Sequence, residues 1–158
     1  MTLELDPNTD LSFTRTLAVP RQLIWECWTK PEHIRNFFVP APHKVTAVDI
    51  DVRVGGRFNT TFLVEGNVMD NKGVYLDVVP GEKLVFTDAY TEGWKPAPDP
   101  FMTALLLLQD APDGGTTYTA IARHRNADTR KAHEDMGFFG GWGTVATQLE
   151  VYAKGLMK

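Results

Sequence analysis

Hydrophobic positions repeat in two different ways along this chain. Between about residues 126 and 157 the apolar residues Phe138, Trp142, Val145, Leu149, Tyr152 and Leu156 recur at steps of three and four. At ~100° per residue they fall within roughly 80° of one another, on one face of a helix. Asn126 or Asp128 supplies a cap at the start, and Lys154 and Lys158 sit where a helix dipole favours cations. A continuous helix of this span is ~45 Å long, so it needs a broad surface to lie across. Gly137, Gly140, Gly141 and Gly143 crowd its first half, at a cost of ~3–4 kcal/mol in a helix interior. Two compatible readings follow. The helix starts or kinks near Gly140 after a shorter segment, or the glycines admit another backbone or a ligand.

The rest of the chain is organised differently. Residues 1–9 are acidic and polar and are expected as a loose arm ahead of a single domain spanning 10–158. Leu11 to Val19 alternates as a strand, and Pro20 stops it. Leu23, Ile24, Cys27 and Trp28 have helical spacing over Arg21 to Thr29, and Pro20 suits the entrance of that helix. Pro31 opens a second short helix, Glu32 to Phe38. Period-two runs then follow at Lys44–Val54, Arg57–Val64, Val68–Val79 (irregular near Asp70–Gly73), Glu82–Thr91, Phe101–Gln109 and Thr116–Arg125. Short turns such as Gly55-Gly56, Pro80-Gly81 and Asp113-Gly114-Gly115 separate most of them. Gly93–Pro100, rich in proline, is expected as an ordered loop. Consecutive strands joined by tight turns pair with their neighbours and curl. The apolar stripe of the terminal helix then belongs in the concave face. The predicted class is α+β, a curved antiparallel sheet wrapped around a long C-terminal helix, with two short helices after the first strand.

Composition narrows the function classes. The chain has 158 residues, a formal net charge of −4 and no basic run, which argues against nucleic acid or an anionic membrane as partner. The longest apolar run, Ala104 to Leu108, is too short to span a bilayer. The polar N-terminus is unlike a signal peptide. One cysteine, Cys27, rules out an internal disulfide and suits a reducing cytoplasm.

Several stretches together resemble a known family. Arg15 with Ala18-Val19-Pro20, then Trp25, Trp28 and Thr29-Lys30-Pro31-Glu32, is similar to its pattern of strand, Ala-x-Pro, helix and Thr-x-Pro-Glu step. Phe37-Phe38-Val39-Pro40 resembles its paired aromatics before proline. Asp51-Val52-Arg53-Val54-Gly55-Gly56-Arg57-Phe58 resembles its Asp-x-Arg-x-Gly-Gly hairpin. Gly73-Val74-Tyr75 with Pro80-Gly81-Glu82-Lys83-Leu84, Gly114-Gly115-Thr116, and Gly141-Trp142 with Leu149 complete the set. The family is the homologue branch of the activator of heat-shock-protein-ninety ATPase, within the START/Bet v-like (SRPBCC) superfamily. The resemblance implies a helix-grip fold with a cavity between curved sheet and C-terminal helix, and binding of small hydrophobic ligands. This chain departs from the pattern in its glycine content around Trp142.

Candidate chemistry follows from that geometry. On the last strand Tyr118, Ala120, Ala122 and His124 share one face, and the small residues leave volume opposite the glycine-rich half of the helix. Phe37, Phe38, Phe58, Phe62, Tyr75, Phe139 and Trp142 are expected to line it, with Tyr118, Ala120 and His124; alternatively these side chains interdigitate as filled core. His133-Glu134 forms either a solvated pair or a ligand-orienting one. It is not a zinc helix motif, because the second histidine would fall at Gly137, and no metal or other cofactor is expected. His33 is expected on the exposed side of its helix and His43 in a loop. Arg53 and Arg57 flank Gly55-Gly56 either as surface ion pairs or as an anion site. Asp88 and Tyr90 are expected exposed. Trp94 is a lid over the pocket or an anchor for its loop, and Cys27 is a buried structural thiol. The function expected is a cytoplasmic binding protein for a small apolar or amphipathic ligand. A cyclase- or hydrolase-like enzyme using the same pocket, a chaperone-interaction module and a homodimer stay open.

Overall fold

The sheet of this computed structural model comes in two parts joined at a pair of glycines. Residues 4–157 are described; Lys158 and the first part of the expected arm lie outside them. In chain order the elements are β1 (Asp10–Leu17), α1 (Arg21–Thr29), α2 (Pro31–Ile34), β2 (Lys44–Ile50), β3 (Phe58–Val64), β4 (Asn67–Asn71) and β5 (Val74–Val79). There follow β6 (Lys83–Thr87), β7 (Tyr90–Thr91), β8 (Lys95–Pro96), β9 (Thr103–Asp110), β10 (Thr116–Arg123), α3 (Ala127–Asp135) and α4 (Phe138–Leu156). One sheet runs β1-β10-β9-β6-β5, a second β2-β3-β4, and β7 and β8 form a small ribbon. All pairings are antiparallel.

The two larger sheets meet through an isolated bridge between Arg57 and Val74. Gly55 N–H donates to Tyr75 O at 2.7 Å and Phe58 N–H to Gly73 O at 2.8 Å. This contact needs glycine. A Cβ on Gly56 would lie 1.9 Å from Asp51 O, and one on Gly73 2.2 Å from Thr87 O. The expected single strand Val68–Val79 is therefore two strands belonging to different sheets, and its irregularity is the crossing point.

Other differences have local causes. Residues 6–9 are not a loose arm: Asp10 N–H donates to Asp6 O at 2.8 Å, and Asp6 N–H to Asp10 Oδ2 at 2.9 Å. Arg123 then clamps that buried carboxylate at 2.8 Å. The strand expected to reach Thr91 ends at Thr87 because the Asp88 carboxylate accepts the Phe101 N–H at 2.9 Å and the Met102 N–H at 3.0 Å. Asp88 is thus a half-buried brace and not a solvated acid. The helix expected to run to Phe38 closes after one turn at Ile34, although Phe37 and Phe38 N–H still bond its last carbonyl.

The predicted rod is two helices. Asn126 caps α3, its side chain accepting from Thr129 N–H at 2.8 Å. Gly137 then sits at φ 98°, a left-handed conformation glycine adopts freely, and α4 starts one residue later. α4 buries Phe138, Gly143, Val145, Ala146, Leu149 and Ala153 against the sheet and α1. The small residues let the helix come close, and Arg15 on β1 crosses beneath it to Gly143 O (2.9 Å) and Thr147 Oγ1 (2.7 Å). A Cβ at Gly143 would stand 3.2 Å from Arg15 Nη2. Leu156, counted in the apolar stripe, is 40% exposed because the helix overruns its support.

Candidate binding cleft

Aromatic packing fills the middle of the grip. Trp28 of α1 meets Phe37 and Phe38 edge-on, both at 5.2 Å between ring centres. Phe58 stacks on Tyr75 at 5.1 Å and receives Phe86 edge-on at 4.5 Å. Tyr118 and Ala120 lie fully enclosed in the same core. Phe37, Phe58, Tyr75, Tyr118 and Ala120, expected to line a pocket, therefore belong to this interior. Three polar atoms are sealed in it without a partner among the described residues: Trp28 Nε1, Tyr75 Oη and Tyr118 Oη. Burial pushes the ionisation of both tyrosines upward. The Trp28 indole opposes this at Tyr118, close enough to polarise the hydroxyl while missing hydrogen-bond geometry.

Open space lies at one end of the core, at the corner between α3 and α4. A cleft of about 280 Å³ is bounded by Phe38, Val39 and Pro40, by Phe62 of β3, by Met102, by His133 and Met136, and by Gly137, Phe138, Gly141, Trp142 and Val145. Phe38, Phe62 and Trp142 from the expected set are on this wall. Phe139 is not. It is 51% exposed, because the break at Gly137 turns it outward while Phe138 points in. A Cβ on Gly141 would meet nothing within 4 Å. The Phe38–Pro40 wall is fastened to α4 by Gln148, whose amide donates to Phe37 O (3.0 Å) and Val39 O (2.9 Å) and accepts from Ala41 N–H (2.8 Å). A second cleft of similar size lies at the far end of α4, between β1, the β9–β10 turn and Met157, and carries neither an aromatic side chain nor a histidine.

The polar feature of the first cleft is a pair of buried histidines. His124 and His133 are 7% and 8% exposed, so the reading of a solvated His133-Glu134 pair is corrected. His124 Nδ1 lies 2.7 Å from Thr9 O, and His124 Nε2 lies 2.9 Å from His133 Nδ1. Phe101 packs on His133 at 4.7 Å and Phe138 meets it edge-on at 5.2 Å. His124 stands behind His133, one ring removed from the cleft wall. Desolvation, and secondarily the neighbouring His124, lowers the His133 pKa to about 4. His133 is therefore neutral at pH 7. A base so weak is poorly matched to proton abstraction near neutrality.

The remaining candidates lie elsewhere. Trp94, 50% exposed, lies over Gly55, with its ring 3.0 Å from where a Cβ would be, and meets Tyr90 edge-on at 5.8 Å. It anchors the loop on the hairpin and does not overhang the cleft. Arg53 pairs with Asp51 at 2.6 Å and Arg57 with Asp49 at 2.7 Å. The Gly55 and Gly56 amides are already bonded, which leaves no anion nest. His33, expected exposed, bonds Tyr152 Oη at 2.7 Å. Cys27 is fully buried, and burial raises its thiol to about 11, so it is inert at pH 7. Among the described residues no three metal-ligating side chains converge, and no helix is long and apolar enough to cross a membrane.

The comparisons with known proteins agree with this architecture. Residues 18–154 match the family model described as "Activator of Hsp90 ATPase homolog 1-like protein". Protein NE0264 of Nitrosomonas europaea, a crystal structure, is 41% identical over 97% of this chain and 99% of its own, with a TM-score of 0.93. Protein Ms6760 of Mycobacterium smegmatis is 25% identical over 96% of this chain and 94% of its own, with a TM-score of 0.78. An AHSA1-like protein of Aeromonas hydrophila, at 16% identity, a TM-score of 0.70 and 94% coverage of both chains, shares the fold. No curated protein matches the sequence significantly.

Proposed function

Because the chain belongs to the family of activator of Hsp90 ATPase homolog 1-like proteins, we propose that it binds a small, largely apolar molecule in the cleft at the α3–α4 corner. The observation that carries this reading is the character of the wall. Phe38, Phe62, Met102, Phe138, Trp142 and Val145 offer an apolar surface, and His133 is the lone ionisable side chain among them. That composition, mostly apolar with a few convergent polar groups, is what ligand sites share. At about 280 Å³ the cleft is about twice the ~150 Å³ apolar cavity that holds benzene. A guest of one or two rings, or a short branched chain, fits it. Binding is favoured over catalysis because the acid–base group on the wall is held near pKa 4. With a single buried thiol, the proposal places the protein in the cytoplasm.

The test is chemical-shift mapping with naphthalene as probe, together with native mass spectrometry of the protein purified from its source. The expected result is saturable shifts confined to Phe38, Phe62, Met102, Gly141 and Trp142, lost in Gly141→Leu. Shifts scattered over the surface, or none at all, reject the site.

A further inference from the structure

We infer that His124 acts as a tautomer lock on His133, so that the cleft presents a bare, neutral imidazole nitrogen and selects uncharged ligands that carry one hydrogen-bond donor, such as a phenol or an alcohol. The inference rests on the binding reading above and adds the chemical class of the guest.

The lock follows from which atoms are able to donate. Thr9 O is a carbonyl and only accepts. His124 Nδ1, at 2.7 Å from it, must therefore carry the proton. In the neutral ring His124 Nε2 is then a lone pair, and its partner at 2.9 Å, His133 Nδ1, must donate. That leaves His133 Nε2 unprotonated. With both rings neutral, no other arrangement satisfies both contacts. Among the described residues His133 Nε2 makes no hydrogen bond, yet it is not one of the sealed polar atoms, which are Trp28 Nε1, Tyr75 Oη and Tyr118 Oη. His133 lines the cleft, so its free lone pair is the polar feature a guest meets there.

The charged groups around the pair offer His133 no counter-ion. Glu134, beside His133, is engaged by Arg130 at 3.5 Å and Lys131 at 3.9 Å. Arg130 Nε donates to Asp10 O, and the Asp10 carboxylate is taken by Arg123. No carboxylate among the described residues bonds either imidazole, in contrast to an acid–histidine pair, where a carboxylate stabilises imidazolium. Among the described residues no lysine or arginine lines the cleft, so a ligand carboxylate would lose its water without gaining a cation. A hydroxyl or N–H donor gains an acceptor there.

The experiment has two independent arms. In ¹⁵N-histidine-labelled wild-type protein at pH 7, long-range ¹H–¹⁵N spectra should show His133 protonated at Nδ1 and bare at Nε2, with His124 also protonated at Nδ1. A His133 protonated at Nε2 overturns the lock, and this arm needs neither a variant nor a ligand. In the second arm 2-naphthol, naphthalene and 2-naphthoate are titrated separately. 2-Naphthol should bind about fivefold more tightly than naphthalene, the worth of one neutral hydrogen bond, and 2-naphthoate more weakly than naphthalene. His133→Phe should erase the preference for naphthol over naphthalene, read as the ratio of the two affinities within the same variant. Naphthalene binding as tightly as naphthol overturns the recognition role while the cleft reading stands. Failure of all three probes to bind overturns the cleft reading and takes the recognition role with it.

Discussion

Alanine placed at Gly140 and at Gly141 should stabilise the protein in both cases and weaken ligand binding in only one. Both glycines lie in the opening turns of α4, and at either position a Cβ would meet nothing within 4 Å. Glycine within a helix is less stable than alanine by about 0.5–1 kcal/mol. Gly140, in the first turn, should give the lower part of that range and Gly141 the upper. At this chain length about 1 kcal/mol corresponds to a rise of roughly 2–4 °C in Tm. The two sites differ in what the new methyl faces. Gly140 is exposed, whereas Gly141 lines the cleft. A methyl there displaces about one carbon's worth of guest, on the order of 0.8 kcal/mol, or about fourfold in affinity for a probe that fills the site. Thermal melts of the two variants and naphthalene titrations by calorimetry test both halves. Loss of stability in both variants would refute helical backbone at this point. Weaker binding in Gly140→Ala with unchanged binding in Gly141→Ala would refute the site.

The pH dependence of stability should carry the mark of His133. In the unfolded chain it titrates near 6.5, and in the folded protein near 4. Its contribution is complete above about pH 6.5 and is lost as pH falls toward 4, on the order of 3 kcal/mol in all. Urea midpoints at pH 7.5 and 4.5 should diverge less in His133→Phe than in wild type, and parallel falls would count against a buried neutral ring. Leu149→Ala removes a fully buried side chain from the inner face of α4 and should cost about 2–5 kcal/mol in urea unfolding; a loss below about 1 kcal/mol would mean that the helix is not seated there. Tyr118→Phe deletes a sealed hydroxyl without a partner. Its stability should be unchanged or higher by about 1 kcal/mol, and a clear loss would show that the hydroxyl is paired after all.

The helix-grip plan was legible because its signals are local. The three-four spacing of Phe138 to Leu149, the Pro20 and Pro31 helix entrances and the Gly-rich turns each act through their own backbone, and each is in its expected place. The cleft was less legible because it depends on one dihedral. The glycines marked a break in the rod, but spacing alone did not say that Gly137, and not Gly140, takes the left-handed turn. That choice sends Phe138 inward and Phe139 out, and it brings Met136 to the wall beside Met102, which immediately precedes β9. Tyr75 and Tyr118 were placed on the correct face of their strands, but not at the right depth, since depth is set by how Trp28 and Phe37 pack beneath them. The histidine pair was hidden for a similar reason. His124 and His133 are nine positions apart, a spacing that neither a strand nor a helix brings together, and only the turn at Asn126 folds one over the other.

Gln148 fixes one rim of the cleft to α4. Its carboxamide uses both ends at once, holding Phe37 O, Val39 O and Ala41 N–H. A glutamate would set an anion against two carbonyls, and a leucine would release all three contacts, so this position tolerates few other side chains. With that rim fastened to α4, the opposite side of the cleft is shaped by Gly137, the joint between α3 and α4. That joint and His133 lie on the same wall of the cleft, so a change of backbone angle at Gly137 would be felt at once by the histidine pair.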